Sequence, residues 1–119
     1  MNNVRFNYLY RDGANFQSRG DVVFSDPDGY SRIDIQKRLV KAFLPDNQFI
    51  ASQIRIPEIF LFLKGKLTAN DHCFHEFSSV EVCQEDPTDE FNRSVVEFLQ
   101  EIEKVSIQGW KAFDILERF

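Results

Sequence analysis

Apolar and polar residues alternate over "VRFNYLYR", with Val4, Phe6, Tyr8 and Tyr10 on one side and Arg5, Asn7, Leu9 and Arg11 on the other. This period of two predicts a strand with one buried face. "DGANFQSRG" is rich in turn formers and predicts a loop. The β-branched run "DVVFS" predicts a second strand, and "DPDG" a turn. The pattern then becomes helical. Ile35, Leu39, Val40 and Phe43 recur at helical spacing, while Lys37, Arg38 and Lys41 face largely outward. Ser31 with Asp34 resembles a capping box at the start of this helix, and Pro45 stops it. "FIASQIRI" returns to alternation. Ile50, Ser52, Ile54 and Ile56 form its apolar side, and Phe49, Ala51, Gln53 and Arg55 the other, which predicts a strand that Pro57 ends or confines to an edge.

"EIFLFL" is continuously apolar and too short for periodicity to assign, and "KGKLTAND" predicts an exposed loop. "HCFHEF" and "VEVC" predict one bent strand or a hairpin. After the loop "EDPTD", Thr88 or Asp89 is placed to cap a helix whose stripe is Phe91, Val95, Phe98, Leu99, Ile102 and Val105 and which Gly109 closes. The final "WKAFDILERF" is apolar enough to dock. The order ββα-β(β)β-α predicts an α+β two-layer sandwich, with a mainly antiparallel sheet of four to five strands and two helices on one face.

Composition supports one domain over residues 1–119. A chain of this length builds its core without disulfide or metal, and thirteen phenylalanines make that core aromatic. The net charge of −5 is unevenly distributed. Residues 76–103 hold nine acidic side chains against Arg93 alone, whereas residues 32–41 hold Arg32, Lys37, Arg38 and Lys41 against Asp34. So small a basic patch argues against broad nucleic-acid binding. The start of the chain has no signal-peptide pattern, and the longest apolar run, "IFLFL", is far short of a bilayer span. The expectation is a cytoplasmic protein without membrane contact, with Cys73 and Cys83 as reduced thiols.

"NDHCFHEF" concentrates candidate chemistry, since His72, Cys73, His75 and Glu76 are all metal-ligand or catalytic types. On a strand, His72 and Glu76 point one way while Cys73 and His75 point the other, so the histidines face apart. That spacing argues against a metal, and no cofactor is expected. Cys73 with His75 could pair a thiol with a base, although a cysteine among phenylalanines more often fills a core. His72 with Glu76 could form a polar pair. "FLKGKLT" lacks the upstream glycine of a phosphate-binding loop, and neither a dinucleotide-binding glycine pattern nor a nucleophile elbow occurs.

The remaining candidate is the sheet face turned away from the helices. If the apolar sides point inward, Arg5, Asn7, Arg11, Phe49, Gln53 and Arg55 point outward, and arginines beside aromatics suit a contact surface. This predicts a small interaction or regulatory module, acting as a homodimer or with a small protein partner. The alternative is a small enzyme or metal-binding protein centred on residues 71–76. The combination "FNYLYRDGANF", "VVFSDPDG", "RIPEIF" and "DHCFHEF" resembles a group of small bacterial proteins over nearly the whole chain. The resemblance implies a bacterial, stand-alone protein; it brings no activity, cofactor or fold.

Overall fold

The computed structural model describes residues 2–119. Strand β1, Asn3–Arg11, buries Val4, Phe6, Tyr8 and Tyr10 as its alternation predicts. Strand β2, Gln17–Ser25, pairs antiparallel with it from Asn3 opposite Ser25 to Arg11 opposite Gln17. The predicted loop therefore shrinks to residues 12–16. There the Asp12 carboxylate accepts the Ala14 and Phe16 N–H groups, both at 2.9 Å. "QSRG" joins the strand because the ladder offered by β1 outweighs its turn-forming composition.

Helix α1, Arg32–Ala42, begins at Ser31, whose hydroxyl accepts the Asp34 N–H at 3.3 Å. It buries Ile35, Leu39 and Ala42, but Val40 points to solvent, contrary to expectation. The predicted strand over 49–56 does not form. Strand β3 is only Gln48–Phe49, and Ala51–Ile54 coil into a 3₁₀ turn that Arg55 closes in the left-handed conformation. Phe49, Ile50, Ala51 and Ile54 are all buried. A helical turn brings an unbroken apolar run inward, which alternation cannot do. A second 3₁₀ turn spans Leu61–Lys64.

Strand β4, His75–Cys83, is one continuous strand on the far side of β1. Its register slips between Asn7 and Tyr8 and leaves Ser78 as an extra residue, which is the bend anticipated from sequence. Phe49 pairs with His75 on the outer side of β4, so the antiparallel sheet has the order β2-β1-β4-β3.

Helix α2, Val95–Gln108, starts from Ser94 rather than from Thr88 or Asp89. The Ser94 hydroxyl accepts the Glu97 N–H at 3.2 Å, and the Glu97 carboxylate accepts the Ser94 N–H at 3.0 Å. Phe91 lies outside the helix and is exposed. Both helices cover the same sheet face. Ile35 and Leu39 from α1, and Val95, Phe98, Leu99 and Ile102 from α2, meet Val4, Phe6, Tyr8, Phe24 and Phe77. Phe98 stacks on Phe24 with ring centres 4.1 Å apart and meets Phe6 edge-on at 5.2 Å. The architecture is thus an α+β two-layer fold.

Between β4 and α2 the chain passes the Asn3 end of β1. The Asn3 amide donates to the Glu85 carbonyl at 2.8 Å. At the outer edge of β2, Val23 N–H donates to the Thr88 hydroxyl and the Val23 carbonyl accepts the Thr88 N–H, both at 2.9 Å. After α2, Gly109 takes a positive φ of 99° and turns the chain back. Trp110 donates its indole N–H to the Ala42 carbonyl at 3.0 Å, and a short helix α3, Ile115–Arg118, buries Ile115. The tail docks against a second cluster of Tyr10, Ile50, Phe60, Phe62 and Cys73.

Candidate functional site

The polar stretch 70–77 is built into the fold. His75 has no exposed surface and is enclosed by the rings of Tyr8, Tyr10, Phe49 and Phe60. Its Nε2 accepts the Ile59 N–H at 3.0 Å, which places the ring proton on Nδ1, where no partner is in bonding geometry. Burial lowers its pKa to about 4, with a smaller push in the same direction from His72. A histidine this enclosed stays neutral near pH 7 and has no route to a substrate.

Strand β4 begins only at His75, so the strand expected over residues 72–77 does not extend to His72, and alternation does not separate the two histidines; both rings pack against Tyr10, with centroids 5.2 and 5.6 Å away. The His72 Nδ1 accepts the Phe74 N–H at 3.0 Å, so Nε2 carries the proton and donates to the Arg11 carbonyl at 2.7 Å. Both nitrogens are engaged in holding the loop. Cys73 is buried in the second cluster and is not opposed to an accessible base. Glu76 pairs with Arg11 at 3.1 Å rather than with His72. Tyr10, absent from the sequence candidates, organises the stretch. Its hydroxyl donates to Asp71 at 2.6 Å and accepts the His72 N–H at 3.3 Å. Among the described residues, no three His, Cys, Asp or Glu side chains gather to hold a metal ion.

The six residues proposed as one binding surface separate. Arg5, Asn7 and Arg11 do share the sheet face away from the helices. Arg5 contacts three carboxylates: Asp21 at 3.0 Å, Glu81 at 2.8 Å and Glu85. Asn7 donates to Ser79 at 3.2 Å and Arg11 bonds Glu76. Hydrogen bonds from Arg5 and then Asn7 hold the Glu81 carboxyl below the usual range. This face is a ladder of internally satisfied charges. Phe49 is in the core against Phe43 and Phe6, with centroids 5.0 and 5.9 Å away, and cannot serve a surface. Gln53 and Arg55 leave the sheet altogether. Gln53 accepts the Lys111 N–H at 2.8 Å, and Arg55 pairs with Glu101 at 2.7 Å while lying over the Phe91 ring.

Arg93, the lone cation of the acidic stretch, is buried with all five donors paired. It bonds both oxygens of Asp89, Glu101 at 2.5 Å, and the Ile54 and Arg55 carbonyls. Burial raises the Asp89 pKa, but its bonds to Arg93 outweigh this and hold the carboxyl below its ordinary value. Arg93 therefore fastens the 3₁₀ turn to the approach of α2, a structural role that pairing alone explains.

Exposed apolar surface gathers instead on α1. Ile33 is 57% exposed and Val40 47%, two turns apart on the outer face. They line a shallow hollow of about 530 Å³ with Arg32, Gln36, Lys37 and Lys41. Lys41 also borders a second hollow of about 370 Å³ between the helices, which ends at Ile107, 87% exposed. The basic patch noticed in the sequence thus surrounds the exposed Ile33–Val40 pair, and Lys41 separates that pair from the hollow at Ile107. Among the described residues, Arg38 is the one cation of this patch with an acidic partner, Glu103 at 2.5 Å. The signal was present in "RIDIQKRLVKA", since Ile33 and Val40 fall outside the Ile35–Leu39 stripe.

No family model, curated protein or solved structure matches the chain. Among the described residues, no helix is long and apolar enough to cross a membrane.

Proposed function

We propose that the protein is a small protein-binding module whose contact surface is the outer face of α1 and the adjoining end of α2. The observation that carries this reading is the exposed pair Ile33 and Val40, rimmed by Arg32, Lys37 and Lys41, with exposed Ile107 bordering the neighbouring hollow across Lys41, on a chain of net charge −5. Apolar side chains at helical spacing bind a partner helix, and the rim selects its charge. The partner is therefore an acidic amphipathic helix. The face carrying Arg5, Asn7 and Arg11 is the weaker contact surface, because a partner would first have to separate pairs already made within the chain. A cytoplasmic, reducing setting suits two cysteines that remain unbonded. The residues of 71–76 favour no catalytic reading, since their polar atoms support loop and core.

The test is a fluorescence titration with a synthetic helix carrying two leucines at the Ile33–Val40 spacing, flanked by glutamates. The expected result is saturable binding that weakens with salt and is lost in an Ile33→Asp, Val40→Asp double variant. Equal binding by a lysine-flanked helix, binding untouched by the double variant, or no binding at all would overturn the proposal.

A further inference from the structure

The outer edge of β2 is only half covered. In an antiparallel strand, alternate residues turn both backbone groups to one side. Val23 turns its groups outward, where Thr88 takes them, and Ser25 bridges to Ser94 beyond. By the same alternation, Gln17, Arg19 and Asp21 also turn outward, and all three residues are exposed. No backbone group of the described residues pairs with them on that side. A row of unpaired N–H and C=O groups is a template for another strand.

The side chains along this row are self-complementary in one register. Arg19 forms no ion pair within its own chain among the described residues; its guanidinium donates only to the Gln17 amide, at 3.0 Å. Asp21 is held by Arg5 at 3.0 Å with half its side chain still exposed. Between them is Gly20, where an added Cβ would come within 3.3 Å of the Ile59 side chain. We infer that two copies of the chain pair antiparallel through their β2 edges, centred on Gly20, so that Arg19 of each copy faces Asp21 of the other. Outward residues then oppose outward residues, giving four backbone hydrogen bonds and two cross-strand ion pairs across a two-fold axis. The sheet becomes continuous through both copies. A register shifted to centre on Arg19 would oppose two arginines. One centred on Asp21 would oppose two aspartates and drive Arg19 into the edge already occupied by Thr88. Of these registers, only the one centred on Gly20 opposes Arg19 to Asp21, and the ion pairs favour it. Thr88 limits the paired segment to the neighbourhood of residues 18–22, so the dimer is a weak one that forms at micromolar concentration and above. The sequence-based expectation of a homodimer is thereby moved from the sheet face to the sheet edge, and the α1 stripe stays free on both copies. The inference stands independently of what α1 binds.

The test is sedimentation equilibrium of the full chain from micromolar to sub-millimolar concentration, with far-UV circular dichroism confirming that each variant is folded. The wild type is expected to associate reversibly to a dimer. Arg19→Asp opposes aspartate to aspartate, and Asp21→Arg opposes arginine to arginine; each single variant should be monomeric. Mixing the two restores opposite charges at both pairs and should recover a mixed dimer, as should the double swap with itself. A monomeric wild type throughout the range, a dimer that survives Arg19→Asp, or failure of the mixed singles to associate would overturn the register. Binding of the acidic helix should be unchanged in all of these variants, which separates this result from the α1 reading.

Discussion

His75 is the residue at which stability and pH meet most directly. Its folded pKa is about 4 against an ordinary value of 6.5. As pH falls, the unfolded chain takes up the proton first, so between these values it binds more protons than the native state. Stability therefore rises with pH through this window; it is fully present above 6.5 and is lost progressively toward 4. The loss between pH 7 and pH 5 should be about 2 kcal/mol. Glu81, Asp89, Glu101 and Glu103 are also held below their ordinary values, but their contributions are lost only as pH falls from those ordinary carboxylate values downward. The interval from 7 to 5 lies above these carboxylates, and comparison with a His75 variant assigns the dependence that belongs to this ring. Urea unfolding should show a lower midpoint at pH 5, and His75→Phe should flatten the dependence whatever it does to absolute stability. A midpoint equal at the two pH values in the wild type would mean that the ring is hydrated in solution.

Helix α2 shows how differently two features of one element weigh. The capping box at Ser94 satisfies orphan N–H groups at an exposed helix end, and Ser94→Ala should cost about 1 kcal/mol. Phe98 is buried between Phe24 and Phe6, and Phe98→Ala should cost roughly 3–5 kcal/mol through lost transfer energy and the cavity left behind. Thermal unfolding of the two variants checks the order, and a Ser94→Ala loss as large as that of Phe98→Ala would sink this ranking. The apolar stripe through Phe98 and Ile102 was legible in the sequence because one long face meets one sheet. The start of the helix was misread, although "SVVE" carries the capping-box pattern that Thr88 and Asp89 lack. Strand β1 was legible for a similar reason, being central in the sheet with one side buried. "FIASQIRI" misled because Ile50 and Ile54 fit a helical turn as well as an alternating strand, and only the burial of their neighbours Phe49 and Ala51 decides between the two. With Phe49 went the predicted binding surface. Arg93 was read merely as an exception to the acidic run, because burial of a lone cation depends on a turn that local pattern does not announce.

At the scale of the whole molecule, the two hydrophobic clusters differ in what surrounds them. The larger is closed between sheet and helices. The smaller, around Tyr10, Phe60 and Cys73, is covered by irregular segments: the 3₁₀ turn at Leu61–Lys64, the loop leading to β4, and the tail with α3. Such coverage makes few ladder bonds, so this region should open at lower free energy than the sheet. The clusters are joined where Ile59 and Trp110 pack against both. Trp110 also bonds the end of α1 through the Ala42 carbonyl and lies 6.0 Å from the Phe43 ring, so it couples the tail to the helix layer. Its removal should free the tail and loosen the smaller cluster while leaving β1, β2 and α2 packed. Native-state hydrogen exchange tests this, because amides that open together report one free energy. Trp110→Ala should lower protection over residues 59–65 and 113–119 by at least tenfold, with the β1 and α2 core amides falling only as far as global stability falls. A uniform drop across the chain would instead show that the two clusters unfold as one unit and that the tail is integral to the main core.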